Sequence, residues 1–150
     1  MLISNEWLKD YVNVDQSVQA LAERITRTGI EVDDIIDYTK DIKKLVVGHV
    51  LSKTPHPDAD KLNICQVDLG EEEPVQIVCG APNVDEGQHV IVAKVGGRLP
   101  GGIKIKRAKL RGERSEGMIC SLQEIGISSH VTPKNYESGI YVFPEAVKPG

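Results

Sequence analysis

Aromatic side chains are scarce: the chain has one Trp, one Phe and four Tyr among 150 residues. A core must therefore rest on Val, Ile and Leu, and a nucleic-acid site that stacks splayed bases on rings has little to work with. Paired cysteines are also missing. Cys65, Cys79 and Cys120 are odd in number, widely spaced and without a C-x-x-C, which excludes the usual zinc and thioredoxin-type patterns. Each lies among apolar neighbours ("NICQV", "IVCGA", "MICSL"), as suits buried, reduced thiols. No apolar run approaches the roughly 18 residues of a membrane span. The opening "MLISNEWLKDY" has neither a basic start nor a cleavable apolar block, so it is no signal peptide. The expectation is a cytoplasmic protein with no membrane partner.

Catalytic patterns are lacking too. "GGRLPGG" has the glycines of a phosphate loop but no Gly-Lys-Ser/Thr, and reads as a hairpin. Cys120 beside Ser121 has no nearby His and no G-x-S-x-G elbow. "HPDAD" (56–60) brings an imidazole and two carboxylates together, but at no zinc or calcium spacing, and Pro55 and Pro57 mark it as a structural loop. His49 and His89 fall in strand-like runs. No catalytic residue, metal ligand or bound cofactor is expected.

What is present divides in two. Residues 1–42 read as a small helical unit. Ser4 can cap a helix carrying Trp7, Leu8 and Tyr11 on one face, and Asp15 a second with Val18, Leu21, Ala22 and Ile25 at i, i+3, i+4 and i+7. Gly29 is placed to end it, and "IEVDDIID" alternates as a short strand would. Nine acids against four bases give this unit −5, more than the −4 of the whole chain. From 43 to 150 the texture becomes short β-type runs: "LVVGHVLSK", "LNICQVDLG", "VQIVCG", "HVIVAKVGG", "IKIKRAKL", "GMICS" and "GIYVFP", with "SLQEIGI" as one short helix. Strands of this number and length predict a small barrel of the OB type, within an α+β chain.

The positive charge is concentrated in one place. From Lys94 to Arg114 there are eight bases (Lys94, Arg98, Lys104, Lys106, Arg107, Lys109, Arg111, Arg114) against Glu113 alone. Ile103 and Ile105 alternate with Lys104 and Lys106. After that the parity shifts, so that Ala108 and Leu110 become the apolar positions, as a β-bulge at Lys106–Arg107 would produce. Lysines on an exposed strand also discourage edge pairing. Three arginines favour an anionic ligand, because a guanidinium forks onto phosphate. With no ring in the segment, the sugar-phosphate frame of a folded RNA suits it best.

Ordered motifs then carry a resemblance. "HPDADKL" (56–62), "IVCGAPNV" (77–84), "LPGGIKI" (99–105) and "RGERSEGMICSLQEIG" (111–126) resemble the tRNA-binding domain family, which uses an OB-type barrel. "MLISNEWLKDYV" followed by "LAERITRTGIEVDDI" resembles the opening of the β subunits of bacterial phenylalanyl-tRNA synthetases. The resemblance implies an N-terminal fragment of a longer chain. Its parent would be an α2β2 ligase, with an α-subunit partner, using ATP and magnesium at sites outside this region. It also implies tRNA contact at Asn83, Ser115, Met118 and Ser121 beside the bases. The rival expectation is an assembly module whose basic strand meets carboxylates of other domains. A stand-alone tRNA-binding protein is the third.

Overall fold

The computed structural model describes the chain from Met1 to Gly150. It divides into two units, Met1–Tyr38 and Thr39–Gly150. In the first, Ser4 opens α1 (Asn5–Lys9), its Oγ accepting the Trp7 N–H at 3.4 Å. Ser17 opens α2 (Val18–Arg27), its Oγ accepting from Ala20 N at 3.2 Å. The cap expected at Asp15 is displaced to Ser17, because a capping oxygen must sit directly before the first helical residue to reach its N2 or N3 amide. The end is as expected: Gly29, at φ +102°, donates to Thr26 O, and Ile30 N donates to Ile25 O, a Schellman arrangement.

The strand expected over 30–37 is absent. A strand needs a neighbour for its backbone groups, and this unit has no other; Val32 N bonds back to Thr26 Oγ1 at 3.2 Å. Helices of five and ten residues, with no buried residue in either, are a minor part of the chain. The expected α+β class is corrected to mostly β. No helix is long and apolar enough to cross a membrane.

The second unit is a curled antiparallel sheet. Its strands are β1 (Lys43–His56), β2 (Ala59–Asp68), β3 (Val75–Cys79), β4 (His89–Leu99) and β5 (Ile103–Lys104), in spatial order β3-β2-β1-β4-β5. β6 (Ala108–Leu110) and β7 (Glu113–Ser115) form a separate hairpin, and β8 (Gly117–Ile119) pairs with β4. The sheet curls round because Glu116 N donates to Gln76 O at 2.8 Å and Val78 N donates to Ser115 Oγ at 3.1 Å, tying the far edge at β3 to the chain entering β8. "SLQEIGI" makes only a turn. Gly126 at φ +89° ends it one turn after the Ser121 cap. "GIYVFP" contributes one bridge, Val90 to Val142.

β4 explains its unbroken apolar run by being covered on both faces. Val90 and Val92 join Val50, Cys65, Val67, Ile77 and Ile119 inside the curl. Ile91 and Ala93 join Leu99, Ile105, Cys120 and Leu122 on the other side. Three of the few rings sit there: Tyr141 lies 4.8 Å from Tyr136 and 5.1 Å from Phe143.

All three thiols are free and buried. Burial pushes Cys65 up to about 11 and Cys120 up to about 12, and raises Cys79 as well. A raised folded-state pKa means stability held in full below the ordinary thiol value of 9.0 and lost as pH climbs towards 11 or 12. The urea midpoint is therefore expected to fall from pH 9 to 11, and less steeply in a Cys65→Ala, Cys120→Ala variant. At pH 8 maleimide should label the thiols only after unfolding.

Candidate nucleic-acid interface

The basic stretch is not one bulged strand. Ile105 is 7% exposed, and its backbone bonds to β4 through Gly96 N to Ile105 O (2.8 Å) and Ile105 N to Gly97 O (3.0 Å). A glycine is required at 97, where a Cβ would lie 2.7 Å from Lys43 O and 2.8 Å from Lys94 O. At Lys106–Arg107 the chain leaves the main sheet and enters the β6–β7 hairpin. The parity shift marks a passage between sheets, so the expected bulge is corrected to a break. Ala108 and Leu110 do not turn inward either: both are exposed, because an isolated two-stranded hairpin has no layer to cover its face.

The break sorts the cations into two groups. On the main sheet, Lys43 pairs with Arg98 across β1–β4, and Arg98 pairs with Lys104 across β4–β5. Directly opposed residues share a face, so three exposed cations stand in a row. On the hairpin, Lys109 pairs with Arg114, again two exposed cations side by side. Like charges so placed destabilise a ladder by about 0.2–1 kcal/mol per pair. No carboxylate lies within ion-pair distance of any of these five. An anion between the members of each pair would reverse the sign of the interaction.

The other bases differ. Lys94 is held by Glu71, and Arg107 Nε lies 3.3 Å from Glu116 Oε1. Lys106 is exposed in the link, and Arg111 occupies the hairpin tip with Gly112, both at positive φ (49° and 91°). Arg107, Ala108, Lys109, Arg114, Ser115 and Glu116 line an open cleft of about 280 Å³.

The four polar or apolar candidates are occupied within the fold. Asn83 Nδ2 donates to Ile140 O at 2.8 Å, and its Oδ1 accepts from Ile140 N at 2.9 Å. Ser115 is 3% exposed, accepting from Val78 N and donating to Gly117 O. Ser121 Oγ accepts from Glu124 N while Glu124 Oε2 accepts from Ser121 N, a reciprocal cap. Met118 is half-buried against the outer cluster.

Two anchors escaped the sequence reading. Gln76 Nε2 donates to Arg114 O (2.9 Å) and Glu113 Oε2 (3.2 Å), fixing the base of the hairpin. His56 Nε2 lies 2.9 Å from Leu110 O near its tip. Neither is detectable from spacing, since each acts across dozens of residues. Lys43 was missed for a different reason: it lies outside the basic run and joins the row only through β-pairing.

Residues 45–150 match the family model described as "Putative tRNA binding domain". The phenylalanine–tRNA ligase beta subunit of Staphylococcus epidermidis (strain ATCC 12228 / FDA PCI 1200) is 99% identical over 150 residues, covering 100% of this chain and 19% of that protein. Its counterpart in Staphylococcus aureus (strain USA300) is 83% identical with the same coverage. The chain thus spans 19% of the length of these curated relatives. Among solved structures, a MetRS-related protein from Pyrococcus horikoshii overlaps with 23% identity and a TM-score of 0.48, covering 80% of this chain and 94% of that one.

Proposed function

We propose that the curled sheet of this chain, which belongs to the tRNA-binding domain family, is an OB-type barrel that grips the phosphates of a folded tRNA. The observation that carries the reading is the pair of uncompensated cation groups, Lys43–Arg98–Lys104 and Lys109–Arg114. Lys106 and Arg111 flank them, while Lys94 and Arg107 must first loosen a carboxylate. Ser115 contributes by fixing the base of the hairpin, whereas Asn83, Ser121 and Met118 serve the fold, Asn83 by tying its loop to Ile140, Ser121 by capping its turn and Met118 by packing against the outer cluster.

In the same proposal, residues 43–150 are the RNA-binding part and 1–42 a separate unit of a cytoplasmic phenylalanine–tRNA ligase β subunit. That subunit assembles with an α subunit as α2β2. ATP and magnesium serve the ligation reaction elsewhere in the parent enzyme. This chain binds and positions RNA without catalysing.

The test is salt dependence. Three to five phosphate contacts imply a slope of roughly −2 to −4 in a plot of log affinity against log salt. A flat plot, or equal affinity for a plain RNA duplex of similar charge, would reject specific tRNA recognition.

A second reading, an assembly role, rests on the first unit. Trp7 is 74% exposed, Tyr11 86% and Tyr38 80%, with Leu2, Ile3, Ile30 and Ile36 also in solvent. So much apolar surface on 38 residues is what an interface leaves when its partner is removed. Titrating the chain with the remaining synthetase subunits, without tRNA, separates this role from RNA binding.

A further inference from the structure

His56 is 5% exposed although Pro55, Pro57 and Asp58 around it are in solvent. β1 pairs with β2 up to His56 and Ala59, so Pro57–Asp58 form the turn and His56 is its first residue. The imidazole Nδ1 accepts from Asp58 N at 3.0 Å. Its Nε2 lies 2.9 Å from Leu110 O, which can only accept, so the proton sits on Nε2. Both ring nitrogens are thus used, one within its own turn and the other 54 residues away on the hairpin.

Leu110 ends β6, directly between Lys109 and the Arg111–Gly112 tip. A hairpin of three-residue strands does not hold itself in water. Its base is secured by Gln76 and by Ser115, and His56 secures the end towards the tip. We infer that His56 is a positioning residue for RNA binding: its bond to Leu110 O holds the Lys109–Arg114 pair at a fixed angle to the main-sheet row. The inference rests on the proposed reading of those cations as phosphate contacts. Buried as it is, the imidazole touches no RNA. It acts by reducing the freedom the hairpin must lose on binding.

Two substitutions divide the ring's two bonds. In His56→Asn the amide oxygen stands where Nδ1 was and keeps the turn bond to Asp58 N, but nothing reaches Leu110. In His56→Gln the amide extends one bond further and can donate to Leu110 O. Binding of an unmodified phenylalanine tRNA transcript would be measured by fluorescence anisotropy over a salt series, with urea midpoints alongside. His56→Asn should bind about three- to ten-fold more weakly, the worth of one hydrogen bond, with the slope unchanged because the same phosphates are engaged. His56→Gln should lie closer to the parent chain.

Parent-like affinity in a folded His56→Asn overturns the inference. So does a flattened slope, which would mean that contacts were lost rather than loosened. If His56→Asn does not fold, amide exchange at Arg111 and Gly112 in His56→Ser decides, since a hydroxyl can still accept from Asp58 N but cannot reach Leu110, and unchanged exchange there overturns the inference. Faster exchange with weaker binding supports the role, and faster exchange at unchanged affinity overturns it. A parent chain with no salt dependence would remove the phosphate reading itself, whereas a normal slope with an inert His56→Asn would remove only this inference.

Discussion

Replacing Lys109 and Arg114 together by Gln is expected to weaken tRNA binding roughly 100-fold at moderate salt, because each charge-assisted contact contributes about 1.5 kcal/mol and each 1.4 kcal/mol is a factor of about ten. The salt slope should become shallower by about two units, one for each phosphate contact removed. The same substitution should leave the chain slightly more stable. The two side chains face each other across the β6–β7 ladder with no carboxylate in reach, and relieving such a pair returns about 0.2–1 kcal/mol. Affinity and stability moving in opposite directions distinguish a binding site from a solubilising surface, where removing charge would change neither by much. Lys134→Gln with Lys148→Gln, two exposed positions outside the cation groups, lowers the net charge equally and serves as the control. Anisotropy across a salt series and urea titration give both quantities. If the control flattens the slope as much as the hairpin variant does, the hairpin is not the contact.

Gly48→Val should cause the largest loss of stability of any single change considered. Gly48 is buried within β1, and a Cβ there would fall 2.6 Å from Val92 Cγ2, 2.7 Å from Val67 Cγ1 and 3.2 Å from Leu69 Cδ2. Its φ lies outside the left-handed region, so the backbone would accept any residue and the obstacle is space alone. Gly48→Ala is expected to cost about 1–3 kcal/mol by overpacking, and the two further methyls of Val more. Against a total of about 5–15 kcal/mol, the Val variant should be partly unfolded at room temperature. Gly87 offers the contrast: nothing lies within 4 Å of its Cβ position, but its φ is +85°. Gly87→Ala should therefore cost only the backbone strain, about 1 kcal/mol. Val92→Ala is destabilising by itself because Val92 is fully buried, but it should cost less in Gly48→Ala than in the parent chain, whereas in Gly87→Ala its cost should be unchanged. Equal urea midpoints for Gly48→Ala and the parent chain would show that the sheet accommodates the methyl by shifting.

The sequence spoke most clearly where chemistry is local. Ser4 and Gly29 mark helix ends because a cap is decided within a few residues. Cys65, Cys79 and Cys120 are buried as their apolar neighbours required. The charge of 94–114 was evident from composition, but its arrangement was not. Alternation in "IKIKRAKL" implies a continuous strand, and only the Gly96–Gly97 contact with Ile105 shows where the main sheet lets the chain go. Lys43 could not be recruited by any local rule, since its neighbour Arg98 lies on another strand. "HPDAD" reads as a structural loop, but the ring of His56 reaching Leu110 depends on two turns meeting at one end of the sheet. The first unit misled for the same reason. Its helical periodicity is genuine, but periodicity does not reveal how little of the molecule it occupies.

The knot at β3 and β8 also sets an order of events for a nascent chain. β1, β2 and β3 follow one another through short connections and can pair as they emerge. The curl closes only when Glu116 reaches Gln76 and Gly117–Ile119 reach Val92–Lys94. Until about residue 120 has left the ribosome, β3 presents an unsatisfied edge and the thiols of its neighbourhood are open to solvent. Such non-local closures are slow, and an open β edge is the kind of surface on which chaperones act and nascent chains misassociate. The closure that completes the curl is also what delivers Lys109 and Arg114 to their place. The proposed RNA contact and protection from aggregation therefore arrive in the same step of synthesis.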